Sequence, residues 1–244
     1  MKKFILINSP IFWEQTTNDE DSLPPLGQGY IATQLDKRGI EVEIVDCVKR
    51  KMGVTDIIDY VNNSTPEYAG INIFTQNYDL VKYIVERLNP NIKLFIGGQA
   101  VKFLYKDILE WDINICCYII AGEGELIIPD ICLESCKELP KAIKGNRKYY
   151  NVDKNSIYFP QDISFLKVDR KFFDDELLIN HYGEKEAAIV TSRGCVFNCA
   201  FCGGARSLNK DSYPRVRSRE SIINELTELV NLYNDIQCIR ILDD

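Results

Sequence analysis

The feature that most constrains this chain is a fivefold alternation over its first 136 residues. Residues 3–7, 42–46, 69–74, 92–96 and 118–121 read as strands, and each is followed by a helix-like segment. The first run, Lys3-Phe-Ile-Leu-Ile7, is nearly continuous in apolar residues, as a strand buried on both faces must be. The first helix opens after Pro24-Pro25 and stops at Lys37-Arg38-Gly39, a basic turn followed by glycine. The second is expected over 56–62 with Thr55 as its cap, the third over 79–88, the fourth over 102–111 and the fifth over 126–136. Five such units predict an open parallel sheet with helices on both faces.

The predicted fold class is α/β: a flavodoxin-like (Rossmann-like) five-stranded sheet in the order 2-1-3-4-5, followed by the first units of a (β/α) barrel. Ligands of such sheets bind at the carboxyl ends of the strands. Glycines gather at two of those ends, Gly97-Gly98 and Gly122/Gly124. They allow close approach of backbone to a ligand, or else serve tight strand-to-helix turns. We expect residues 1–136 to form this domain. Residues 137–185 are expected to be a linker with a hairpin from 142–150 and 155–159, and 186–244 to begin the barrel.

A second constraint is chemical. Cys195, Cys199 and Cys202 fall within eight residues, C-x3-C-x2-C, just after the strand-like run 187–191. Thiolates suit iron-sulfur clusters, and three of them leave one iron of a [4Fe-4S] cube open to a further ligand. A structural zinc site would want a fourth ligand, and no second C-x2-C follows. The remaining cysteines, at 47, 116, 117, 132, 136 and 238, lie in apolar runs and read as small buried hydrophobes. Cys132 and Cys136 are spaced to share a helix face. The single histidine, His181, reads as a surface or capping residue.

With Phe201 as the aromatic of C-x3-C-x-aromatic-C, the loop resembles the signature of radical SAM enzymes. The resemblance implies a [4Fe-4S] cluster on Cys195, Cys199 and Cys202, with S-adenosylmethionine on the open iron, cleaved reductively to a 5'-deoxyadenosyl radical. It also implies SAM contacts from Phe201, Gly203 and the pair Asp243-Asp244, and an external electron donor of flavodoxin or ferredoxin type. Upstream, Pro24-Pro25-Leu-Gly, Gly39-x-x-Val-x-x-x-Asp46, Gly97-Gly98 and Gly122-Glu-Gly-Glu125 resemble the N-terminal cobalamin-binding domain of one branch of that superfamily. Cobalamin contacts at Gly97, Gly98, Gly122 and Gly124 follow from that likeness, with methyl transfer or a radical rearrangement as the chemistry. The family's D-x-H-x-x-G is missing, so no imidazole of the first domain can ligate cobalt.

The last segment reads as strand, loop, helix from 220 to 232 with Ser218 as cap, then strand 236–242. Ile222, Leu226, Leu229 and Val230 share one helical face and are predicted core. Arg206, Lys210, Arg215, Arg217 and Arg219 make the segment basic, either as a solvated face or, as in the family, to hold anionic groups. Residues 186–244 fall far short of the ~200 that compact βα barrels use. We therefore expect an incomplete barrel with an exposed edge, and hold open that the chain is a catalytically incompetent binding module. At 244 residues and 45% apolar the chain can bury a sizeable core, while its 27% charged residues favour solubility. Net charge −7 excludes a surface wholly devoted to nucleic acid, and Lys144, Arg147 and Lys148 beside two tyrosines read as a solvated linker. No run is long enough for a membrane span, and free thiols suit a reducing cytoplasm.

Overall fold

The computed structural model describes residues 2–13, 23–173, 177–202 and 213–243. The five predicted strands are present as β1 (Lys3–Asn8), β2 (Glu41–Asp46), β3 (Tyr68–Asn72), β4 (Lys93–Gly97) and β5 (Cys116–Gly122). Between and after them lie α1 (Leu26–Lys37), α2 (Val54–Ser64), α3 (Tyr78–Val85), α4 (Val101–Leu109) and α5 (Ile127–Cys132). The strands are parallel in the order β2-β1-β3-β4-β5, as the alternation predicted.

The sheet does not stop at five. Two further strands, β6 (Ala142–Lys144) and β7 (Arg147–Val152), extend it, with β7 parallel to β5 and β6 antiparallel at the edge. The hairpin turn therefore falls at Gly145, and residues 155–159 form turns rather than a return strand. The basic stretch is not solvated as a whole, because Tyr149 and Tyr150 are buried on opposite faces of the extended sheet.

Side chains alternate across β1. Ile5 and Ile7 enter a core with α2, α3 and α4, whereas Phe4 and Leu6 enter a second core with α1 and α5. Burial on both faces explains the near-continuous apolar run. Two local details differ from expectation. The N-cap of α2 is Gly53, whose N–H donates to the Asp56 carboxylate at 2.9 Å, so Thr55 lies inside the first turn. Helix α5 ends at Cys132, so Cys136 shares no helix face with it. Gly39 takes φ +74° after α1, as its sequence position required.

A second, smaller sheet follows: β8 (Leu178–Ile179), β9 (Lys185–Ile189) and β12 (Cys238–Ile241), in the order β12-β9-β8 with β12 parallel to β9. Between β9 and β12 come a two-stranded ladder, β10 (Ser192–Arg193) with β11 (Arg215–Val216), and helix α6 (Arg219–Leu232). Ser218 caps α6, its hydroxyl accepting from Ser221 N–H at 3.2 Å. Ala187 and Ile189 pack against Leu229 of α6, while Ala188 faces Leu26 and Tyr30 of α1. Of the predicted α6 face, Leu229 is buried, Ile222 and Leu226 are half-buried, and Val230 is exposed. No helix among the described residues is long and apolar enough to cross a membrane.

Candidate functional site

A cavity of about 530 Å³ lies where the two sheets meet. Its floor is the carboxyl edge of the large sheet, with Asn8, Asn72, Gly97, Gly98 and Gly122. One wall is the start of α1, with Gly27, Gln28 and Tyr30; the roof is Val190, Ser192, Arg193 and Leu242 of the smaller unit. All four glycines predicted for a ligand site line it, but for different reasons. A Cβ on Gly98 (φ +107°) would lie 2.6 Å from Ile73 O, and one on Gly122 (φ +91°) 2.3 Å from Val152 O. Chain geometry alone requires glycine at both. A Cβ on Gly124 would meet Ile128 at 2.7 Å, a helix-packing constraint. Only Gly97 faces open space, its nearest neighbour being Ile120 O at 3.9 Å; Gly27, which the sequence reading passed over, has nothing within 4 Å.

Two buried acceptors on the cavity wall lack a hydrogen-bond partner: Gln28 Oε1 and Glu125 Oε2. The other end of the Gln28 amide donates to Ile7 O at 2.8 Å, which fixes its orientation. Buried acceptors left without donors are costly, so this wall suits a ligand bearing N–H or O–H groups. The open floor at Gly97 and these acceptors fit an amide-bearing ring such as a corrin. His181, read from the sequence as a surface or capping residue, sits exposed in the β8–β9 turn, its ring 3.8 Å from that of Tyr182.

The cysteine loop begins at the roof of this cavity. Cys195 is half-buried, Cys199 and Cys202 are exposed, and Cys202 N–H donates to Cys199 O at 3.1 Å, closing a turn. Phe201 is 93% exposed, and Val196 and Phe197 are also exposed, so the loop presents apolar side chains outward. Among the described residues no three His, Cys, Asp or Glu side chains are grouped closely enough to hold a metal. As a donor set, three accessible thiols on one short loop fit an iron-sulfur cluster. Gly203, Arg206, Lys210 and Asp244 lie outside the described residues.

Asp243 is tied to the start of the loop. Its carboxylate accepts from Thr191 N at 2.7 Å, from Ser192 N and Ser192 Oγ at 2.9 Å, and from Thr191 Oγ1. Burial pushes its pKa up, but these donors outweigh burial and hold it below the ordinary carboxylate value.

The basic segment is a solvated face only in part where it is described: Arg219 is exposed. Arg215 and Arg217 are buried. Arg217 pairs with Glu225, which also pairs with Arg170; Arg215 pairs with Glu123. Arg193 pairs with Glu123 at 2.7 Å and Glu125 at 2.8 Å, and its guanidinium lies 4.7 Å from the Tyr30 ring. Burial works against the Arg193 charge, yet Glu125 and Glu123 outweigh it and raise its pKa. Burial likewise pushes the Tyr30 phenol up. The sequence reading stressed the glycines of Gly122-Glu-Gly-Glu125 and missed its two glutamates, although their alternation with glycine was visible.

Residues 16–131 match the family model described as the B12 binding domain. An uncharacterized methyltransferase, PH0819, of Pyrococcus horikoshii is 28% identical over 91% of this chain and 49% of its own length. Hopanoid C-3 methylase of Methylococcus capsulatus is 26% identical over 94% of this chain and 44% of its own length. The chain thus spans about half the length of the curated relatives it matches. Among solved structures, the radical S-adenosylmethionine methyltransferase TsrM of Kitasatospora setae superposes with TM-score 0.65 at 16% identity, covering 100% of this chain and 48% of that one. The cobalamin-dependent S-adenosylmethionine radical enzyme OxsB gives TM-score 0.67 at 16% identity, covering 100% of this chain and 34% of that one. Residues 16–131 thus match a B12-binding domain, and with a cavity at the carboxyl edge of its sheet and a three-cysteine loop at the roof the whole chain is similar to radical SAM proteins that carry such a domain.

Proposed function

We propose that this chain holds a corrinoid in the cavity between its two sheets and a [4Fe-4S] cluster on Cys195, Cys199 and Cys202. S-adenosylmethionine would bind at the cluster's open iron, with an external reductant supplying the electron. The chemistry such a pair supplies is reductive cleavage of S-adenosylmethionine coupled to methyl transfer or radical rearrangement. One observation carries the reading: the strand leading into the cysteine loop roofs the cavity, with Ser192 and Arg193 in its wall and Cys195 two residues on. Gly97 leaves the floor open and Gly27 the α1 wall, Gln28 and Glu125 offer acceptors to the ring's amides, and Asp243 fixes the backbone from which the loop departs.

Hydroxocobalamin titrated into the chain should give a saturable spectral change, weakened at least about tenfold by Gly97→Leu, which fills the floor. Anaerobic reconstitution should incorporate about four irons and four sulfides per chain, with incorporation lost on Cys→Ala at any of the three positions. A chain that takes up zinc alone and stays colourless would exclude the cluster.

The separation of the three thiols favours a second reading, a corrinoid-carrying module without turnover. Formation of 5'-deoxyadenosine from S-adenosylmethionine and a strong reductant decides between the two.

A further inference from the structure

The loop that carries the cysteines leaves and re-enters the fold through a narrow neck. Its two sides are β10 and β11, paired antiparallel with Arg193 opposite Arg215. Gly194 has φ +89°, and a Cβ there would lie 2.4 Å from Tyr213 O, so the two sides are in close contact directly beside Cys195. Both facing arginines reach the same carboxylate. Glu123 Oε2 accepts from Arg193 Nη1 at 2.7 Å, and Glu123 Oε1 accepts from Arg215 Nη2. Glu123 belongs to the loop between β5 and α5, at the ligand edge of the other sheet. The side chains of Arg215, Arg193 and Glu123 are 8%, 16% and 19% exposed, so the pairs are little screened. Arg215 is fixed further by donating to Pro160 O at 2.7 Å.

We propose that Glu123 is a positioning residue: one carboxylate that clamps both sides of the neck and fixes the cysteine loop to the edge of the B12-binding domain. A carboxylate has two oxygens, and here each serves one arginine, so neither side of the neck can move without breaking an ion pair. The fixed neck holds Cys195 at one end of the cavity roof, which is what a cluster poised beside the cavity requires. That purpose rests on the proposed cluster and corrinoid; the clamp itself rests on the ion pairs alone.

The test uses the full chain without metal, with iodoacetamide as probe and alkylation followed at each cysteine by peptide mass spectrometry. Glu123→Gln keeps the shape and removes the charge. It should speed modification of the half-buried Cys195 about tenfold by opening the neck locally, while buried Cys47 and Cys117 stay unreacted. Arg193→Gln should act in the same direction, and the double variant should be no faster than the faster single one. Glu123→Asp, which keeps the charge, should return the rate toward that of the unmodified chain. After anaerobic reconstitution, Glu123→Gln should broaden the electron paramagnetic resonance signal of the reduced cluster at unchanged iron content. The clamp is overturned if Glu123→Gln leaves the Cys195 rate within about twofold, or if Cys47 and Cys117 react in parallel, which would signal general loosening. Failure of reconstitution in the unsubstituted chain would sink the cluster, and the Cys195 rates would still decide the clamp.

Discussion

The two sheets are built from the same strand–helix–strand pattern but are stabilised differently. In the large sheet both faces are covered, and β1, β3, β4 and β5 each contribute to two apolar cores. In the small sheet β9 has Ala187 and Ile189 on one face and Ala188 on the other, and its own apolar cluster is small. Polar ties make up part of the difference. Glu225 bridges Arg170 and Arg217, Arg170 donates to Ala188 O at 3.1 Å, and Arg217 donates to Val190 O at 2.8 Å. The first unit can be understood from its apolar pattern. The second depends on charged side chains and on docking against the first.

That contrast can be broken or sharpened experimentally. The largest effect is expected in the large sheet. Leu94→Ala, at a fully buried position, should cost about 4 kcal/mol in urea denaturation and shift the main transition. Next comes Glu225→Gln, which removes the carboxylate charge that pairs with both Arg170 and Arg217. It should cost about 3 kcal/mol and appear as faster amide exchange in 185–193 with β1 and β4 unchanged. If β1 and β4 exchanged equally faster, the two units would be one cooperative block and the contrast would fail.

Gly122→Ala should cost about 2 kcal/mol, because of its positive φ and the contact with Val152 O. Gly27→Ala, in open space within α1, should be neutral or slightly stabilising by thermal melt. A smaller cost than at Gly122 is expected at Asp243, which is exposed, so solvent screens much of its contribution. Asp243→Asn should cost about 1 kcal/mol, read as faster exchange at Thr191 and Ser192. Its pKa is lowered on folding, so its contribution is fully present above the ordinary carboxylate pKa. The contribution is lost as pH falls through the lowered value, and exchange at those amides should rise there in the native chain but not in Asp243→Asn.

Much of this was legible in the residues. Two-sided apolar strands can be buried only between helix layers, so 3–7 and its successors predicted the parallel sheet and its order. Glycine after a basic turn predicted the stop of α1. The cysteine spacing named the loop that begins at the cavity roof. Other features were not legible locally. The basic, tyrosine-rich segment 142–152 looked like a linker, yet Tyr149 and Tyr150 each find a core across β5. Arg215 and Arg217 looked like a solvated face, because a charge shows in sequence whereas its partner, Glu123 or Glu225, lies on another element.

By itself the sequence determined the repeating units, their parallel pairing and the set of thiols on one loop, because periodicity and short spacing act within a few residues. Only the tertiary structure decided that Gly98 and Gly122 are glycine for backbone reasons while Gly97 and Gly27 leave room for a ligand. It also decided that the cysteine loop starts at the cavity roof, its neck held by a glutamate from the opposite sheet. Those features depend on distances between elements up to 92 residues apart, and a contact across folded layers has no signature in either segment alone.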